Sequence, residues 1–209
     1  MRILGVDPGL TRCGIGVIDT APGRQVSLVE AGVVRTPADL APHLRLLAVA
    51  EGLEEWMARH RPGAIAVERV FAQANVRSVT GTAQVAGIAM LAAAQARLPL
   101  GLHTPSEVKA AVTGDGRAEK AQVQEMVRRI LRLESAPKPA DAADAVALAI
   151  CHSWRAGVAG ASPSDRAVVA GQHGGAGSAP EAPGMTAAQR AWAAAERSAR
   201  RAGAVAEQR

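Results

Sequence analysis

Apolar positions in the first third of the chain come in short runs. Arg2–Asp7 reads as a strand that ends on an acid, and Pro8-Gly9 breaks it. Residues 13–19 read as a second strand, Ala21-Pro22-Gly23 as a turn, and Gln25–Arg35 as a third strand. Three strands joined by short turns predict an antiparallel meander. The period then changes. Leu40, Leu44, Leu47 and Leu53 stand at helical spacing and predict a helix over 39–60, which Arg61-Pro62-Gly63 ends. Ala64–Glu68 is a fourth strand, apolar up to its final acid, and a strand reached through a helix is expected to lie parallel to its neighbour. A helix over 76–97, a short strand Leu100–His103 and a helix from Ser106 follow. After the loop Gly114-Asp115-Gly116 comes an amphipathic helix over 118–133, a break at 137–139 and a last helix over 141–155. The sum is an α/β fold: a mixed sheet with strands 1–3 antiparallel and later strands parallel, flanked by helices.

Composition divides the chain. Residues 1–155 hold the periodic apolar segments, whereas 156–209 is rich in Ala, Gly and Pro and is expected to be a mostly disordered C-terminal tail. With one Phe, three Trp and no Tyr, the core must be filled by Ala, Val and Leu. The net charge of +5 favours an anionic partner such as nucleic acid, and equally describes a soluble basic surface. Cys13 and Cys151 lie far apart and outside any C-x-x-C pattern, which speaks against a disulfide framework or a zinc site. The N-terminus lacks a signal-peptide stretch, and the Ala-rich segment 83–96 is interrupted by Gln84 and Gln95 and too short to span a bilayer. A cytoplasmic protein with no membrane contact is expected.

Four acids carry the candidate chemistry. Asp7 and Glu68 each end an apolar strand, and ligands of open α/β sheets gather at the carboxyl ends of parallel strands. Two carboxylates brought together there raise each other's pKa unless a cation sits between them. Mg²⁺ or Mn²⁺ suits such oxygen donors. Asp141 and Asp144 stand three residues apart on a helix whose other positions are apolar, and no Lys or Arg lies in its first turns. A metal would supply the missing partner. Taken singly, Asp7 is also a turn aspartate before Pro-Gly, Glu68 a solvated strand end, and Asp141 and Asp144 ordinary residues of a helix N-terminus.

Four segments occur in order: Gly5-Val6-Asp7-Pro8-Gly9, Val67-Glu68-Arg69-Val70-Phe71, Ala118-Glu119-Lys120 and Asp141-Ala142-Ala143-Asp144-Ala145. Together they resemble the RuvC family of bacterial crossover junction endodeoxyribonucleases, over roughly residues 1–155. The resemblance implies a ribonuclease-H-like fold, a homodimer, and resolution of Holliday junctions by paired symmetric nicks in strands of like polarity. It places Asp7, Glu68, Asp141 and Asp144 on the family's acidic positions. It also implies two Mg²⁺ per subunit, with Mn²⁺ as a substitute, and hydrolysis that leaves a 5′-phosphate and a 3′-hydroxyl. The expected partners are four-way junction DNA and the RuvA–RuvB branch-migration complex.

Lys109 and Lys120 resemble family lysines near the cleaved strand; alone they read as solvated helix lysines. Phe71 is either a lid on the core or, as the resemblance favours, a base-stacking wedge at the junction centre. Asn75 and Arg77 in the same stretch are expected to contact the DNA backbone. The helix over 76–97 carries small residues at Gly81, Ala86, Gly87 and Ala93, which serve either a dimer interface or packing within one subunit. His152 is left outside the metal site. The first motif is shared with sugar kinases and actin-like ATPases, but 155 residues leave no room for their second domain. The related YqgF-like nucleases and a non-catalytic nucleic-acid-binding dimer are the other readings; the intervening lysines and the complete acid set oppose them.

Overall fold

The computed structural model describes residues 1–70 and 76–156, without the side chains of residues 76–78 and 156. The expected tail lies outside these residues but for the backbone of Ala156. Five strands form one sheet in the order β3-β2-β1-β4-β5. β1 (Arg2–Asp7), β2 (Arg12–Ala21) and β3 (Gln25–Arg35) pair antiparallel. β4 (Ala64–Glu68) runs parallel to β1, and β5 (Leu100–His103) parallel to β4. This is the mixed sheet expected from the sequence. Among the described residues five helices accompany it: α1 (Pro42–His60), α2 (Val76–Gln95), α3 (Pro105–Thr113), α4 (Lys120–Ile130) and α5 (Ala140–Ala156).

Side-chain alternation gives the sheet two unlike faces. Leu4, Val6, Ile15, Val17, Ile65 and Val67 point to one face and meet Val49 and Leu53 of α1 and Val85 and Ala89 of α2. The other face is built from smaller groups. Ile3, Ile18, Ala64 and Ala66 lie there beneath α5. Gly5, Gly14 and Gly16 have no side chain, and a Cβ at Gly5 or Gly14 would overlap the backbone oxygen of Ala145 or Asp141. Absent side chains let α5 seat directly on the strands. The helix reciprocates with Ala142, Ala143, Ala145, Ala147 and Ala149, all buried, while Leu148 and Ile150 fill the rest. Truncating either of the large pair to Ala would cost about 2–5 kcal/mol.

Element ends differ from the sequence expectation where long-range or capping forces act. β2 begins at Arg12 rather than at 13, because Arg12 pairs with Arg35 of β3. α1 begins at Pro42 rather than at 39. Proline fixes the first helical φ, and the preceding residues close a turn through Leu40 N–H to the Pro37 carbonyl. α3 starts at Pro105 behind a capping box, in which Thr104 and Glu107 each accept from the other's backbone N–H. α4 is shorter than 118–133, since the chain beyond it turns at Arg132 with φ +54°. No helix among the described residues is long and apolar enough to cross a membrane.

Candidate active site

β1 and β4 run parallel in register, with Val6 opposite Val67. Asp7 and Glu68, the next residue on each strand, therefore stand side by side at the same sheet edge. On the other flank of β1, Asp7 pairs with Gly14 of β2. The missing side chain of Gly14 leaves room for the first turn of α5, whose Asp141 carbonyl would otherwise be struck. That seating brings Asp141 and Asp144 over the two strand ends.

Electrostatics bear out the convergence. Burial first, then the charges of Glu68, Asp144 and Asp141, push the Asp7 carboxyl from an ordinary 3.8 up to about 7, against the pull of Lys120. Glu68 is also raised, mainly by burial and then by Asp144, with Lys120 again opposing. Asp7 thus feels the charge of all three other acids, and Glu68 that of Asp144.

The sequence expectation that the acids of α5 lack a protein cation is corrected. Lys120, the first residue of α4, places Nζ 2.5 Å from Asp144 Oδ2, and this hydrogen bond is the main cause of its raised pKa. A cation in the first turn faces the unfavourable end of the helix dipole, so the position serves the acids rather than α4. Arg12 of β2 brings Nη2 to 2.9 Å from Asp141 Oδ2. The approach is not aligned as a hydrogen bond, and Asp141 Oδ2 remains a buried oxygen without a hydrogen-bond partner. The cations come from elements distant in sequence, which inspection of the helix alone could not reveal.

These features fit a divalent cation. The donor set is all carboxylate, one buried oxygen is unsatisfied, and Asp7 gives up its proton reluctantly without a counter-charge. Among the described residues no three acid, His or Cys side chains already form a cage. Asp141 and Asp144 are turned toward Arg12 and Lys120, and side-chain rotation would be needed to gather them.

Other expected site residues are distributed unevenly. Lys109 lies on α3, partly buried, and is not among the charges that act on Asp7 or Glu68. Phe71 and Asn75 lie outside the described residues, and of Arg77 only the backbone in α2 is described. Sequence reasoning missed Arg12, whose place at the site follows only from strand register. It also missed His103, which stands opposite Glu68 on β5. His103 Nε2 lies 3.1 Å from His152 Nδ1, so one neutral ring donates and the other accepts. Burial, then His152, lowers the His103 pKa to about 4, and burial lowers that of His152. His152 packs over Gly101, where a Cβ would collide with its ring. It thus pairs with His103, on the strand next to Glu68.

A family model described as "Crossover junction endodeoxyribonuclease RuvC" matches residues 3–152. A crossover junction endodeoxyribonuclease RuvC of Parafrankia sp. (strain EAN1pec) is 66% identical over 155 residues, covering 74% of this chain and 87% of that protein. One from Leifsonia xyli subsp. xyli (strain CTCB07) is 56% identical over 201 residues, 96% of this chain and 94% of that protein. Among solved structures, T. thermophilus RuvC in complex with a Holliday junction substrate superposes with a TM-score of 0.71 at 34% identity, covering 75% of this chain and 94% of that one.

Proposed function

This chain belongs to the RuvC family of crossover junction endodeoxyribonucleases, and from that premise we propose that Asp7, Glu68, Asp141 and Asp144 are its catalytic metal ligands. The protein is a nuclease that resolves Holliday junctions. The observation that carries the site reading is the rise of the Asp7 carboxyl to about 7, to which burial and the charges of Glu68, Asp144 and Asp141 all contribute.

Two Mg²⁺ ions, or Mn²⁺ in their place, would supply the positive charge that activates a water and stabilises the leaving 3′ oxygen. Asp7, at the end of the central strand β1, would be the shared ligand; Glu68 and Asp141 would each favour one ion, and Asp144 would complete the set. Lys120, which pairs with Asp144, would once released neutralise the phosphate at the reacting centre. The nucleophile is water, so no Ser-His-Asp set is required. The products would be a 5′-phosphate and a 3′-hydroxyl. Phe71 would stack at the junction centre, with Asn75, Arg77 and Lys109 on the DNA backbone.

We further propose a homodimer that presents two such sites for paired nicks. Support comes from α2, though not from all the small residues first considered. Ala86 and Ala93 are buried within the subunit, and Gly81 packs against Leu10. Gly87 instead lies on an exposed face with Ala83, Met90, Leu91 and Ala94. Engagement with RuvA–RuvB and a cytoplasmic location complete the reading and rest on the family alone.

The test is incubation of the full chain with a synthetic mobile four-way junction and Mg²⁺. Wild-type protein should nick opposite strands symmetrically, and Asp7→Asn should bind the junction without cutting it. Cleavage by Asp7→Asn at the wild-type rate would remove Asp7 from the site.

A further inference from the structure

Arg12 combines two features that pull in different directions. Its guanidinium pairs with Asp141, yet the side chain is 51% exposed while that of Asp141 is 19% exposed. An arginine built only to hold Asp141 would be expected to align its N–H groups with the carboxylate. Here Asp141 Oδ2 is left without a hydrogen bond at a separation of 2.9 Å. The pair is close but loosely made, and a loosely made pair is readily exchanged.

The backbone that carries Arg12 is firmly held. Thr36 N–H donates to the Thr11 carbonyl, and the buried Thr36 hydroxyl donates to the Leu10 carbonyl. Arg45 of α1 donates to both the Thr36 and Thr11 hydroxyls. A side chain at Gly9 would strike the Arg12 carbonyl, so the turn is closed tightly from that side too. A braced backbone with an exposed, weakly engaged guanidinium is suited to a local swing between two anions.

A second anion is implied by the neighbouring strand. Arg12 pairs directly with Arg35 of β3, so two exposed arginines share one face at the site end of the sheet. Like charges directly opposite each other destabilise a sheet. A DNA backbone at that edge would relieve the repulsion.

We propose that Arg12 is a displaceable counter-ion: it holds Asp141 in the metal-free chain, yields it to the arriving cation, and then binds a DNA phosphate at the rim. This rests on the metal-site reading of Asp141. Removal of Arg12 would therefore tighten metal binding while weakening DNA binding, a pair of effects that simple damage to the fold would not produce.

The experiment measures Mn²⁺ affinity of the full chain without DNA, and junction affinity against salt without divalent metal release of product, using Asp7→Asn as the cleavage-dead background for the second arm. Arg12→Gln should bind Mn²⁺ about threefold to tenfold more tightly. It should also lower the slope of log affinity against log salt by about 0.9, the value of one lost phosphate contact. Arg12→Lys should restore that slope. Unchanged or weakened Mn²⁺ binding, or an unchanged salt slope, in Arg12→Gln would overturn the proposal. Asp141→Asn separates the two readings. If it binds Mn²⁺ as wild type does, the metal site itself fails and the proposal with it. If it loses Mn²⁺ while Arg12→Gln changes nothing, the metal site stands and only the role of Arg12 is refuted.

Discussion

Replacing Asp7 with Asn should stabilise the metal-free protein at the same time as it abolishes cleavage. Asp7 ionises near 7 in the folded chain against an ordinary 3.8, chiefly because it is buried and then because three acids face it. The unfolded chain therefore releases this proton first, and stability falls as the pH rises from about 4 to about 7. At 1.36 kcal/mol per pH step, ionised Asp7 costs the fold about 4 kcal/mol above pH 7 and about 2 kcal/mol at pH 5. An asparagine carries no such charge, although burying its amide costs about 1–2 kcal/mol at either pH. The difference between the two gains is free of that offset and should be about 2–3 kcal/mol. For a domain of this size that corresponds to a melting-temperature advantage roughly 5–10 °C larger at pH 8 than at pH 5. Thermal melts of both proteins in a chelator would measure it. Added Mg²⁺ should raise the wild-type melting temperature at pH 8 and leave Asp7→Asn nearly unmoved. An equal gain at both pH values, or a loss at pH 8, would refute the argument that Asp7 is a buried acid held among like charges.

Three further outcomes follow from the geometry. Gly14→Ala places a methyl against the Asp141 carbonyl and should displace α5; junction cleavage should fall by about a hundredfold in a protein that still folds, measured by single-turnover kinetics beside circular dichroism. His103 takes up its proton near 4 when folded and near 6.5 when unfolded, so stability should drop as the pH falls through that window. His103→Gln should flatten the decline, which is worth up to about 2–3 kcal/mol in pH-dependent denaturation. Leu91→Glu, on the exposed face of α2, should yield monomers in sedimentation; an unaltered dimer would place the interface elsewhere.

The strand ends that hold Asp7 and Glu68 were legible because an apolar run stopped by an acid is a local pattern. The parallel relation of their strands followed from the intervening helix. Asp141 and Asp144 were legible as a pair, since helical spacing is also local. Arg12 was not. Its position depends on the pairing of Asp7 with Gly14 and of Arg12 with Arg35, registers set by partners up to 23 residues away. The same holds for Lys120, which meets Asp144 only after α4 and α5 pack together. Local patterns named the acids, whereas the cations that balance them are products of assembly.

The bare face beneath α5 acts as a spacer gauge. Gly5, Gly14 and Gly16 have nothing to offer a metal or a phosphate, yet they set the height at which two of the four acids ride above the other two. A methyl added there would register in a cleavage assay as a chemical lesion although no reactive group had been touched. Conversely, the acid spacing could be retuned by altering the depth of one helix, with all four acids left in place.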